Sequence, residues 1–362
     1  MRNLWFLFIL TSTIFISANR LLAQDEKFIQ IGDKPKSFYG WKKVWNPEWF
    51  QGSTKRRNYF EGWYFKVVSN SGSIRYAFIP GVSLGKDPHC FIQVIEGNTG
   101  ETSYHRFPIN EFSYSNKRFA AKVGENFFSA DSFSVDLGLG DERLSVKLKH
   151  TDQITYPIKF FTPGIMGWYR FVPFMECFHG VVSIDHSVSG QFNLGTDTIN
   201  IIDGKGYIEK DWGKSMPSAW IWSQSNYFNN SPNTSFMLSV ANVPWLGHSF
   251  TGFIGYLYAN DKLYRFSTYS GAKIKEFKTE GDSVKITIKS KRFTVQFDGV
   301  KGKRGNLIAP VSGVMERTIH ESIDASIQVK LFDRKGVLLY QGISNIAGLE
   351  LVGETSKLKI RR

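Results

Sequence analysis

Trp63-Tyr-Phe-Lys-Val-Val-Ser-Asn70 leads into Tyr76-Ala-Phe-Ile-Pro-Gly-Val-Ser-Leu-Gly85. A later stretch repeats the plan: Trp220-Ile-Trp-Ser-Gln-Ser-Asn226, then Ser235-Phe-Met-Leu-Ser-Val-Ala-Asn-Val-Pro-Trp-Leu-Gly247. The leading tryptophans stand 157 residues apart. Farther on, Phe91-Ile-Gln-Val-Ile95 and Tyr104-His-Arg-Phe107 match Phe253-Ile-Gly-Tyr-Leu257 and Leu263-Tyr-Arg-Phe266, at separations of 162 and 159. A looser echo ties Met175-Glu-Cys-Phe-His179 to Met315-Glu-Arg-Thr-Ile-His320. Ordered matches at a nearly constant offset describe an internal duplication with a unit of roughly 155 residues.

Each unit reads as strands. Turn signals recur at Asn70-Ser-Gly, Gly97-Asn-Thr-Gly, Gly138-Leu-Gly-Asp, Asp203-Gly, Asn260-Asp and Asp333-Arg-Lys-Gly, and no long stretch carries a helical period. Aromatic residues are 15% of the chain and glycine is abundant, at 33 residues, a pairing that favours β structure. A unit of this size has room for about eight strands, the number that closes into a barrel just wide enough for one small ligand. The expectation is therefore all-β: two tandem antiparallel β-barrels, residues 24–203 and 204–362, with a shared or single apolar cavity. A pair of β-sandwiches is the competing architecture.

The first residues read differently. Arg2 precedes the apolar run Leu4–Ala18, and small residues follow near Ala23. That is the pattern of a secretory signal peptide over residues 1–23, and the run is shorter than the ~20 residues a spanning helix needs. An uncleaved membrane anchor is the alternative. The expected location is periplasmic or extracellular, and the expected state a monomer. Export would permit a Cys90–Cys177 disulfide, with two free thiols as the equally ordinary outcome.

The chain carries 45 Lys+Arg against 32 Asp+Glu, a net charge of +13. Such a surface favours anionic partners. Ten basic and four acidic residues crowd into 272–305, where Val284-Lys-Ile-Thr-Ile-Lys289 alternates apolar and polar. This reads either as a solvated hairpin with edge lysines or as a patch for an anionic membrane surface. No nucleic-acid-binding motif is present, so no nucleic acid is expected. The chain lacks GxxxxGK[ST], GxSxG, HExxH and CxxC patterns, and its seven histidines show no metal spacing, so the expected cofactor and metal are none.

Carboxylates set among aromatics stand out: Glu61 in Asn58-Tyr-Phe-Glu-Gly-Trp63, Glu176 beside His179 in Met175-Glu-Cys-Phe-His-Gly180, and Glu209 and Asp211 in Gly206-Tyr-Ile-Glu-Lys-Asp-Trp-Gly213. Desolvation disfavours the charged form and makes such a group a potential acid near neutral pH. Each could equally accept indole N–H bonds or pair with Lys210 or Arg170. Trp220 and Trp222, two apart on a strand, share one face. They suit core filling, or a cage that steadies a carbocation over its ring faces.

Phe60-Glu-Gly-Trp-Tyr-Phe65, Phe174-Met-Glu-Cys-Phe-His-Gly-Val-Val-Ser183, Lys210-Asp-Trp-Gly213 and Ala219-Trp-Ile-Trp-Ser-Gln-Ser-Asn226 resemble the tocopherol cyclase family, from about Gly40 to the C-terminus. The resemblance implies lipocalin-like (calycin) barrels, distantly related to carotenoid 1,2-hydratase-like proteins. It also implies an intramolecular cyclase, an isomerase that closes a prenylated hydroquinone into a chromanol without cofactor or metal. A carboxylic acid would protonate an isoprenoid double bond, and the phenol oxygen would capture the tertiary cation. On the matching motifs Asp211 is the leading acid, with Glu61 and Glu176 behind it and His179 as base or relay. Trp63, Tyr64, Trp212, Trp220 and Trp222 would line the path of an apolar isoprenoid ligand, and Gln224 and Asn226 would orient its phenolic head. Two other functions stay open: an exported carrier of an apolar ligand without turnover, and a hydratase of isoprenoid double bonds. Because the acidic motifs bracket the first unit and open the second, Glu61, Glu176, His179 and Asp211 are expected to line one cavity near the junction, with Trp220 in its wall.

Overall fold

The computed structural model describes residues 27–358 apart from 230 and 246. Residues 1–23, expected from the sequence to be a signal peptide, lie outside the described residues. The described residues form two curled antiparallel sheets that make two lipocalin-like barrels. The first has twelve strands, from Phe28–Gln30 to Asp197–Gly213. The second has ten, from Trp220–Ser225 to Leu338–Val352.

The duplication is visible in the strand order. In the first sheet Tyr59–Val68 heads a meander through Arg75–Leu84, His89–Glu96 and Thr102–Pro108, and its other edge pairs with Asp197–Gly213, which pairs in turn with Cys177–Leu194. In the second, Trp220–Ser225 heads a meander through Ser235–Trp245, His248–Ala259 and Lys262–Ser267. Its other edge pairs with Leu338–Val352, which pairs with Val314–Asp333. The quoted repeats therefore sit on equivalent strands.

Most of the turn signals fall between strands, but Asp203-Gly does not. It lies inside the long strand Asp197–Gly213, where the register slips between Val188 and Gly190 of the partner and Asp203 takes a φ of 48°. That is a β-bulge, in which a short polar residue accepts left-handed backbone. The change of sheet consequently comes between Gly213 and Trp220, later than the 203/204 division read from the sequence.

Burial patterns explain the composition. The strand Tyr59–Val68 is buried on nearly every residue, and Trp220–Ser225 on all six. Each packs one face into its own barrel and the other against the opposite barrel, so it reads as an apolar run rather than an alternation. The hairpin strand Ser283–Lys289 has only one buried face and alternates, with Val284, Ile286 and Ile288 inside and Lys285 and Lys289 outside.

Neither barrel interior is the open ligand well suggested by the strand count. Phe65 contacts Phe128, Phe133 and Phe119 at ring separations of 5.4, 5.5 and 6.1 Å in the first barrel. Phe236 stacks on Phe297 at 5.3 Å in the second. A third apolar cluster, including Tyr64, Tyr207, Trp220, Trp222 and Met237, joins the two sheets. The cavity lies there.

Candidate active site at the junction of the barrels

Period-two geometry sorts the Glu209-Lys-Asp-Trp-Gly213 motif onto two faces. Glu209 and Asp211 point between the barrels, and Lys210 and Trp212 point the other way. Asp211 is the register partner of His179, and Glu209 that of Tyr64, so Tyr64, Glu209, Asp211 and His179 meet on one face of three adjacent strands. The second sheet builds the opposite wall by the same rule. Glu350 is the register partner of both Trp222 and Glu321, which places those three in a row across three strands.

The rows interlock across the junction. The Tyr64 ring meets Trp222 edge-on at 5.4 Å. Tyr64 donates its hydroxyl to Glu321 Oε1 at 2.6 Å, and Trp222 donates Nε1 to Glu209 Oε2 at 3.3 Å. Each barrel thus hands a hydrogen bond to a carboxyl group of the other. Trp220 donates its indole N–H to Glu350.

Between the walls lies a cavity of about 200 Å³. Phe91, Met166, Met175, Met216, Ile254 and Leu307 supply much of its apolar lining, and Glu176, His179, Glu209, Asp211, Glu321 and Glu350 supply the acid–base groups. The carboxyl groups do not share one environment. His179 Nδ1 bonds Asp211 Oδ1 at 2.9 Å, and its Nε2 lies 3.3 Å from Glu209 Oε2 but out of hydrogen-bond line. Burial alone would pull the imidazole down, but Asp211 and then Glu209 outweigh it and hold it up at about 10. His179 is therefore held as an imidazolium between Asp211 and Glu209. Glu321 and Glu350 form no ion pair among the described residues. Burial, reinforced by their mutual repulsion and by Glu209, drives Glu321 well above the ordinary carboxylic range. Burial also raises Glu350 to about 7, with Asp211 and Glu209 adding to the effect. On one wall His179 lies between Asp211 and Glu209; on the other, burial holds the Glu321 carboxyl group above the ordinary carboxylic range.

His179, Glu209 and Asp211 are also the described residues that could hold a metal ion, with ligand-capable atoms within 4.8 Å of one another. Metal binding there would require His179 to give up a ring proton.

The structure brings Glu176, His179, Asp211, Tyr64, Trp220 and Trp222 to the cavity and leaves other sequence-derived candidates elsewhere. Glu61 is fully buried on the barrel side of its strand, 2.5 Å from Lys210 Nζ, and it accepts the backbone N–H groups of Gln51 and Gly52 and the Tyr59 hydroxyl. Trp63 fills the first barrel, stacked on Phe119 at 5.5 Å. The repeat aligned Trp63 with Trp220, but register equates Tyr64 with Trp222, and a one-residue offset on a strand reverses the face. Trp212 stacks on Phe178 at 5.6 Å behind the cavity wall, with Lys210 over its ring. Gln224 and Asn226 belong to a separate buried network, in which Lys66 donates to Gln224 and Asn226 donates to Asp185 at 2.8 Å. Cys90 and Cys177 are both free, Cys90 in the first core and Cys177 on the cavity wall.

Glu321 and Glu350 were absent from the sequence-derived set. The signal was available in Gly348-Leu-Glu-Leu-Val352, a carboxyl inside an apolar run like those noted elsewhere, and Glu321 directly follows the Met315–His320 echo. Gly213 closes the motif for a backbone reason. It sits at φ 150°, and a Cβ there would come within 2.1 Å of the Glu176 carbonyl oxygen. Only glycine lets the Glu176 segment come this close, and that carbonyl accepts the Lys214 and Ser215 N–H groups.

The chain matches the family model described as tocopherol cyclase-like over residues 97–353. Among solved structures it is similar to the crystal structure of CghA, with a TM-score of 0.52 and 8% identity over 91% of this chain and 96% of that one. It is also similar to a putative AttH from Nitrosomonas europaea, with a TM-score of 0.50 and 11% identity over 89% of this chain and 99% of that one. At these identities the two structures speak to the fold alone.

Proposed function

This chain belongs to the tocopherol cyclase-like family, and we propose that its junction cavity carries out acid-catalysed closure of a prenylated hydroquinone. The observation that carries the reading is a fully buried carboxyl group, Glu321, raised above the ordinary carboxylic range by burial and facing the His179–Asp211–Glu209 cluster across one largely apolar cavity. In the proposed step Glu321 protonates the isolated double bond nearest the aromatic head. The tertiary cation forms beside the ring faces of Trp222 and Tyr64. The phenol oxygen attacks it, a C–O bond forms, and the phenolic proton passes to the carboxylate side of the His179 triad. Atoms balance as an isomerisation. Return of the proton to Glu321 completes the cycle. Asp211, the acid suggested by the motif, serves in this reading as proton acceptor and as the anchor of His179.

Incubation with 2,3-dimethyl-5-phytyl-1,4-hydroquinone tests the reading by the appearance of the chromanol. Glu321→Gln should bind the substrate and lose turnover. A carrier of an apolar ligand is the second reading, favoured by the largely hydrocarbon lining. In that case the wild type binds without product, and Glu321→Gln changes nothing.

A further inference from the structure

Away from the cavity the chain exposes aromatic rings that a folded protein ordinarily covers. Trp41, Phe160 and Phe161 are 64, 63 and 76% exposed. They belong to one assembly, although two distant segments supply them. Trp41 packs on Trp45 at 4.8 Å, Trp45 stacks on Phe160 at 5.3 Å and donates Nε1 to its carbonyl, and Phe160 meets Phe161 edge-on at 5.0 Å. Phe171 joins the same shallow apolar depression. Phe38 and Phe174, at either end of the two segments, are also largely exposed, and both hold left-handed backbone, with φ of 67° and 65°. Bulky residues rarely adopt that conformation, and here it turns a ring toward solvent rather than into a core.

The charge around these rings is predominantly positive. Residues 34–57 carry seven basic side chains and one acidic, and residues 153–175 carry Lys159 and Arg170 with no acidic residue. Trp and Phe flanked by Lys and Arg match the headgroup boundary of a bilayer, where ring faces enter the acyl edge and cations meet phosphate. The same connecting segment also reaches the cavity. Met166, Tyr169 and Met175, on the same connecting segment as Phe160, Phe161 and Phe174, line it.

We propose that the face formed by Trp41, Trp45, Phe160 and Phe161, together with the exposed ring of Phe174 on the same connecting segment, docks this protein on an anionic phospholipid membrane. The lysine-rich hairpin of 272–305 is not the docking element in this proposal. Val284, Ile286 and Ile288 are turned inward, and the hairpin presents lysines without exposed rings. The link to the cavity rests on the apolar substrate class proposed above; the membrane binding itself does not.

The test is co-sedimentation of the full chain with vesicles of phosphatidylcholine alone and of phosphatidylcholine with phosphatidylglycerol. Binding should be stronger to the anionic vesicles and weaken with salt. The variant Trp41→Ser/Phe161→Ser/Phe174→Asn removes exposed rings only, and Asn tolerates the left-handed backbone at its position. It should keep the wild-type circular dichroism and lose about tenfold or more in partitioning, while Lys285→Gln/Lys289→Gln should bind like the wild type. Unchanged binding by the ring variant, which retains residues 1–26, would overturn the proposal. So would loss of binding in the lysine variant instead, or no vesicle binding by the wild type. Dissociation of a lipid-free dimer by the ring substitutions would assign the face to a second copy of the chain and also overturn it. Ligand binding in detergent, measured on the same variants, reports on the cavity separately.

Discussion

Glu61→Gln separates a structural carboxylate from a chemical one. Glu61 and Lys210 are both completely buried and 2.5 Å apart. Lys210 keeps a bond to the Trp49 carbonyl and lies 4.6 Å over the Trp63 ring, but Glu61 is its only ion-pair partner among the described residues. Removing one member of a buried pair costs about 3–5 kcal/mol, because the other charge is left uncompensated. At roughly 2–4 °C per kcal/mol for a domain of this class, the melting temperature should fall by roughly 6–20 °C. The loss has a pH signature. Burial lowers Lys210 to about 8 even with Glu61 beside it, and without Glu61 it falls further. A lysine depressed in the folded state makes the unfolded chain the better proton binder up to about 10.5, so stability rises with pH and the deficit of the variant should shrink toward alkaline pH. Urea unfolding followed by circular dichroism between pH 6 and 10 measures both effects, and Glu61→Gln/Lys210→Met should recover part of the loss. A Glu61→Gln protein as stable as the wild type but inactive would refute the structural assignment and return Glu61 to the chemistry.

Other outcomes follow from the same geometry. Trp63→Ala should cost about 3–5 kcal/mol as a core truncation and leave ligand affinity unchanged, whereas Trp222→Ala should weaken the ligand. Isoprenoid-quinone titration beside thermal unfolding distinguishes them, and a ligand defect in Trp63→Ala would contradict the placement. His179 is raised to about 10 against an ordinary value near 6.5. Its stabilisation is complete below pH 6.5 and is lost as pH climbs through 10. His179→Gln should flatten the fall of the urea midpoint across that window, and an unchanged slope would count against the charged triad.

Much of the fold was legible because strand order follows chain order. The two meanders and their returning strands carry the repeat openly, and even the faint Met175/Met315 echo marks equivalent strands. The residue-level alignment was less secure. A match of Trp63 with Trp220 is good as pattern, yet a single-residue offset sends one ring into a barrel and the other into the junction. The acidic motifs pointed to the junction through Glu176, His179 and Asp211, but composition cannot say which side of a strand a carboxylate takes, so Glu61 looked like Asp211. Glu350 was legible as a carboxyl inside the apolar run 348–352, whereas Glu321 was hidden, because its surroundings become apolar only after the two sheets close on each other. Gln224 and Asn226 occupy the next layer of the same strand and its end, where the partners are Lys66 and Asp185 rather than open space.

The central claim is that a neutral carboxyl group of the junction cavity delivers a proton to carbon. Turnover of a prenylated hydroquinone in D2O, read by mass spectrometry, tests it directly. The account predicts a chromanol with one non-exchangeable deuterium on the carbon next to the new ether centre, formed by the wild type and not by Glu321→Gln. A product without deuterium, or equal product from Glu321→Gln, would contradict it.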